Sequence, residues 1–147
     1  MASFFKKLFS TDMDVRLPLE EAQQAEKLES QGNYVAALDI YEAFLKRHPD
    51  SLQALNNAGL LLMRLRNPQK ACQLFEKATH LNPKYIKSWN NLGTARVMLG
   101  NGIGAKEAFE QTLKYDPRNM VAQKNLQMLL SRGIPPSGRN IRFVEPT

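Results

Sequence analysis

Pro49, Pro83 and Pro117 are separated by intervals of 34 residues, and this period constrains the fold more than any other feature of the chain. Ala37, Ala71 and Ala105 keep the same interval, as do Tyr41, Phe75 and Phe109, and as do Asn33, Asn67 and Asn101. Four columns at one period identify a repeated supersecondary unit. Each column has a physical reason. An asparagine ahead of an apolar-periodic stretch offers a short acceptor that N-caps a helix. Pro68 then falls at a first helical position, where no backbone donor is missed. The alanines let two helices approach closely, and the aromatics four residues later on the same face fill the space between neighbouring pairs. The proline column closes each unit, because a helix does not readily continue through it.

Apolar periodicity and these stop signals predict helices at 18–30, 34–47, 52–65, 68–81, 86–99, 102–115 and 120–131. Strand signals are absent and the loops are short, as antiparallel helix pairs require. Trp89, Leu92 and Leu99 are spaced for one helix side and are predicted to be buried, whereas Asn90 and Asn91 lie off that side.

The stretch Trp89, Leu92 and Gly93, followed by Ala105, Phe109 and Pro117, resembles the tetratricopeptide repeat. The unit before it supplies Leu55, Ala58, Gly59, Leu62, Ala71, Phe75, Ala78 and Pro83. The first unit supplies Leu28, Gly32, Tyr34, Ala37, Tyr41 and Pro49, with Ala25 where glycine is usual. Arg96 replaces the family's tyrosine, and Phe44 and Thr112 replace a small alanine. The resemblance covers residues 18–131 and implies an all-α fold: a right-handed α-solenoid of three helix-pair repeats (18–51, 52–85 and 86–119) plus a C-terminal capping helix at 120–131. Leu126, Leu129 and Leu130 are expected to cover the last repeat, with Lys124, Gln127 and Arg132 in water, because each solenoid unit buries its apolar face only against neighbours.

Composition bears on what such a chain can do. Its 147 residues, 43% hydrophobic, suit one soluble domain with a sizeable core. No apolar run approaches the roughly 20 residues that span a membrane, and the start is too short and interrupted for a secretory signal. The single Cys72 excludes an internal disulfide framework, which makes a cytoplasmic location the default. Net charge is +6, with residues 118–147 carrying five basic side chains against Glu145 alone. No nucleic-acid-binding signature accompanies that charge, so nucleic acid is disfavoured as a partner.

No catalytic constellation emerges. His48 and His80 fall near helix C-termini, where they can cap carbonyls. Neither has a second His or a Cys at metal spacing, and Cys72 has no dyad partner. The expectation is no enzyme activity, no cofactor and no metal; a small hydrolase or transferase hidden in the groove would need an acid–base pair that the sequence does not offer.

Two flanks and one face carry the functional reading. Residues 1–17 form an N-terminal amphipathic segment in which Phe4, Phe5, Leu8 and Phe9 make an apolar stripe beside Lys6 and Lys7. Three roles are open to it: capping the first helix pair, docking on a partner, or peripheral contact with a membrane. Residues 132–147 form an extended basic tail with three prolines. The family resemblance implies a noncatalytic protein-interaction adaptor whose concave face holds an extended or helical segment of another protein. The rival is a membrane-associated assembly factor anchored by the N-terminal segment.

Asn57, Asn91 and Asn125 are again spaced by 34, with Gln23 in the equivalent place of the first unit. Such a column resembles the asparagine ladders with which some tetratricopeptide superhelices hold peptide backbone, since an amide matches both a main-chain donor and acceptor. Gln53, Leu60 and Arg64 from the second unit, and Lys87, Thr94 and Met98 from the third, complete the expected groove. Neither Asn57 nor Asn91 is expected to support the core. Domains that clamp a ligand's terminal carboxylate use five polar positions, of which only Asn57 and Lys87 match here. Ala22, Glu26 and Asn91 depart from that pattern, so binding of chaperone C-terminal tails is not predicted.

Overall fold

The computed structural model describes residues 14–133. Seven helices follow one another among the described residues: α1 (Leu19–Ser30), α2 (Tyr34–Arg47), α3 (Leu52–Arg64), α4 (Pro68–Leu81), α5 (Ile86–Met98), α6 (Gly102–Tyr115) and α7 (Met120–Ser131). The chain is an α-solenoid of helix pairs, and the predicted boundaries agree with these to within a residue at each end. The aromatic stripe from Phe4 to Phe9 lies outside the described residues, as does the tail beyond Gly133.

The boundaries are legible because the asparagine column works twice. The side-chain oxygens of Asn33, Asn67 and Asn101 accept from Ala36, Lys70 and Gly104 N–H at 3.3, 3.2 and 2.9 Å, opening α2, α4 and α6. The backbone N–H of each also closes the helix before it, donating to Leu28, Leu62 and Arg96 carbonyls at 2.8 Å. This second bond is the long arm of a Schellman motif, which needs a left-handed residue just ahead. Gly32 (φ 74°) and Gly100 (φ 72°) meet that need without strain, but the middle turn uses Arg66 (φ 60°).

Packing follows the repeat. Ala37, Ala71, Ala105, Phe75 and Phe109 are wholly buried, with Tyr41 almost so. Phe75 and Phe109 pack tightly within their own pairs, a contact beyond the expected filling between neighbouring pairs: a Cβ added to Gly59 or Gly93 would lie 2.5 Å from the Phe75 or Phe109 ring. In α7 the same column is Gln127, which is exposed because no later helix lies on it among the described residues.

Three expectations need correction. Leu92 is buried but Trp89 and Leu99 are only half-buried. An indole N–H needs an acceptor, and Trp89 stays at the edge of the core to donate to the Pro83 carbonyl at 2.7 Å. Gln123, one period later, makes the same bond to Pro117 at 2.7 Å. Under the cap, Leu129 is buried and Leu126 half-buried, but Leu130 is 53% exposed. It occupies the Arg96 column; Arg96 donates to the Gly104 carbonyl of α6 and the Glu76 carboxylate of α4, whereas Leu130 is apolar and no helix follows α7 among the described residues to cover it.

The curvature places the functional face. α3 touches α5 and α5 touches α7, whereas no two of α2, α4 and α6 touch. The first helices of the pairs therefore form the inner row and line the concave side. Ahead of α1, residues 14–18 fasten the start of the domain to α3: the Asp14 carboxylate accepts from Leu52 and Gln53 N–H at 2.7 and 2.9 Å, and the Ser51 hydroxyl donates to the Val15 carbonyl.

Candidate functional site

The inner helices bring the predicted groove residues into two cavities. The first, of about 370 Å³, runs between α3 and α5 to the start of α7 and is lined by Asn56, Asn57, Leu60, Lys87, Asn90 and Asn91, with Ile86 and Asn119 at its ends. The second, of about 210 Å³, lies between α5 and α7 over Phe109 of α6, and Thr94 and Asn125 line it. Gln23, Gln53, Arg64 and Met98 line neither. Gln23, Arg64 and Met98 are exposed on their helices, and the Arg64 guanidinium stacks on Tyr34 with Cζ 5.3 Å from the ring centroid.

Five asparagines meet at the first cavity: two neighbouring positions on α3 recur one unit later on α5, and Asn119 at the start of α7 is the fifth. Sequence reasoning assigned neither Asn90 nor Asn119 to the groove, and it also missed Asn56. Asn56 is buried, and its side-chain oxygen accepts from Asn91 Nδ2 at 2.8 Å and from the Ser88 hydroxyl at 3.4 Å. The signal was present, since Asn56 and Asn90 also differ by 34. Asn57 Nδ2 donates to the hydroxyl of buried Tyr41 at 3.2 Å. Burial raises the Tyr41 pKa, the Asn57 bond lowers it, and the carboxylates Glu29 and Glu26 raise it further. Both ladder amides therefore also tie helices together, contrary to the expectation that neither supports the core.

Each still has something to offer. Every Asn57 and Asn91 amide keeps its carbonyl oxygen outside the internal bond, and an NH2 group carries two donors. The Oδ1 of Asn90 and the Oε1 of Gln53 are shielded from solvent and accept no hydrogen bond within the domain. Buried acceptors ordinarily have donors, so these two are exceptions within the domain.

Charge is sorted along the inner row. α3, α5 and α7 contain no Asp or Glu, while carrying Arg64, Lys87, Arg96 and Lys124. α1 carries Glu20, Glu21, Glu26 and Glu29. The titratable groups elsewhere read as structural. His80 Nδ1 lies 3.1 Å from the Glu76 carbonyl, as expected near a helix end, whereas the His48 ring packs 4.8 Å from that of Phe44. Cys72 is buried, and burial, aided by Glu76 and opposed by Arg96, pushes its thiol up to about 11. A neutral thiol is a poor nucleophile. No group of three or more His, Cys, Asp or Glu side chains among the described residues is placed to hold a metal, and no helix among them is long and apolar enough to cross a membrane.

A family model for the tetratricopeptide repeat matches residues 23–86. Among solved structures, the first tetratricopeptide domain of Spaghetti (RPAP3), bound to the HSP90 peptide SRMEEVD, superposes with a TM-score of 0.73 at 26% identity, covering 78% of this chain and 90% of that one. The second such domain of human RPAP3, in complex with the HSP70 peptide SGPTIEEVD, gives 0.70 at 24% identity over 75% and 92%. The Sgt2 domain from Aspergillus fumigatus gives 0.71 at 24% identity over 87% and 92%; at that identity the last two speak to fold alone. No curated protein matches the sequence.

Proposed function

Given that this chain is a tetratricopeptide-repeat protein, we propose that it is a noncatalytic adaptor that holds an extended segment of a partner protein against its inner helices. The observation that carries this reading is the asparagine column: Asn57 and Asn91 border one cavity and Asn125 the next, on the side where α3, α5 and α7 draw together. Amides at that spacing can bond peptide backbone whatever its side chains. The first RPAP3 domain, similar in fold and bound to an HSP90 peptide, supports this reading. The terminal-carboxylate mode is a poor fit, because Glu26 and Asn91 stand at two of its positions and a carboxylate at Glu26 repels another.

Affinity purification of the whole chain followed by mass spectrometry supplies the partner, and substitution then tests the groove. Asn57→Ala together with Asn91→Ala is expected to weaken binding by about 1–3 kcal/mol, since each lost hydrogen bond contributes about 0.5–1.5. Thermal melts run in parallel separate this loss from the internal bonds to Tyr41 and Asn56. Full affinity in a folded double variant rules the ladder out.

A further inference from the structure

The cavity between α5 and α7 differs in chemistry from the amide-lined one. Its walls are Val97, Phe109, Met128 and Leu129, with Thr94, Asn125 and Arg132 around them. The α5 wall is cut back: Thr94 and Val97 stand in register with Leu60 and Met63 one unit earlier, each a smaller side chain than its counterpart. An apolar hollow bordered by one ladder amide is suited to a side chain, just as the amide cluster is suited to backbone.

Charge indicates what flanks that side chain. The inner helices on both sides of the hollow have no carboxylate, and Lys87, Lys124 and Arg132 lie on or just beyond them. The acidic residues of the inner row are confined to α1, at the far end. An acidic sequence is attracted to the α5–α7 end and repelled from the α1 end; a basic one is placed the other way round.

Building on the groove reading above, we propose that the α5–α7 cavity is an anchor pocket for one leucine-, methionine- or phenylalanine-sized side chain of a partner segment whose neighbouring residues are acidic. The occupant is an internal stretch of another protein. A free terminal carboxylate is no part of the recognition.

The test uses the full chain and a random linear peptide library displayed on phage. Enriched peptides are expected to share one bulky apolar residue with Asp or Glu nearby, and replacing that residue with alanine is expected to lower affinity at least about tenfold, the scale of burying one such side chain. Thr94→Leu with Val97→Met restores the side chains of the preceding unit and fills the hollow. In that variant the apolar peptide and its alanine counterpart are expected to bind alike. A discrimination that survives the filling overturns the pocket, as does enrichment of peptides with no apolar position that remain sensitive to Asn91→Ala. Peptides indifferent to both changes bind outside the groove, which overturns the groove reading itself and this proposal with it. Should the filled variant fail to fold, Arg132→Glu provides the second arm: the preference for acidic flanks is expected to weaken or invert, and an unchanged preference overturns the proposal.

Discussion

Asn57 and Cys72 show how differently two buried-face residues can be read. The spacing of Asn57 placed it on the inner row, and the structure agrees, but spacing says nothing of a hydroxyl brought alongside from 16 residues away. The bond to Tyr41 depends on the pair geometry, which no single helix encodes. Lys87 and Leu60 were legible from helical phase alone, because an exposed position on the inner face needs no knowledge of its neighbours. Cys72 was legible as a small buried group, and its environment has a measurable result. Its pKa is raised from 9.0 to about 11 in the folded chain, so the unfolded chain releases that proton first and binds fewer protons over the interval. Stability is therefore intact below pH 9 and falls as pH climbs through 11. Denaturant melts at a series of pH values are expected to show this decline, with Cys72→Ala flattening it between pH 9 and 10, below the range where Tyr41 and Tyr85 begin to contribute in the same direction. An unchanged slope in the variant would mean that the thiol is open to solvent.

At the scale of the element, helix ends were the most readable part of the chain. An asparagine at a helix start carries its own acceptor, and a glycine ahead of it permits the left-handed turn, so both signals are local. What remained hidden was tertiary: the half-buried position of Trp89, fixed by a carbonyl six residues upstream in a loop, and the exposure of Leu130. The turn between α3 and α4 also departs from its siblings, since Arg66 adopts φ 60° where Gly32 and Gly100 stand in the others. A left-handed residue with a Cβ costs about 1–2 kcal/mol, of which the greater freedom of glycine in the unfolded chain takes back part. Arg66→Gly is expected to stabilise the protein by about 0.5–1 kcal/mol in urea denaturation, and Arg66→Ala to bring no such gain. Equal effects of the two would show that the turn is not the source.

Over the whole molecule, the core runs from Leu17 to Ala108 and continues in a second cluster of Ala105, Phe109, Ala122 and Leu129 beneath α7. Removing residues 119–147 takes Ala122 and Leu129 away and uncovers Ala105 and Phe109 together with Val97 and Leu113. Because each unit of such an array is covered only by its neighbours, the shortened chain is expected to aggregate or to melt several degrees lower, as sedimentation and thermal denaturation would reveal. A monomer of undiminished stability would remove α7 from its covering role. The same helix also governs how an array like this could lengthen over evolutionary time. Gly59 and Gly93 leave room for the ring of the following helix, whereas Gln127 fills that space with its own side chain. A duplicated helix bearing phenylalanine and appended after α7 would collide with it. Duplication of a complete internal unit meets no such obstacle, since each copied glycine arrives with its matching ring. Position 127 thus opposes a further phenylalanine-bearing helix packed on α7, while copying of an internal unit is unopposed.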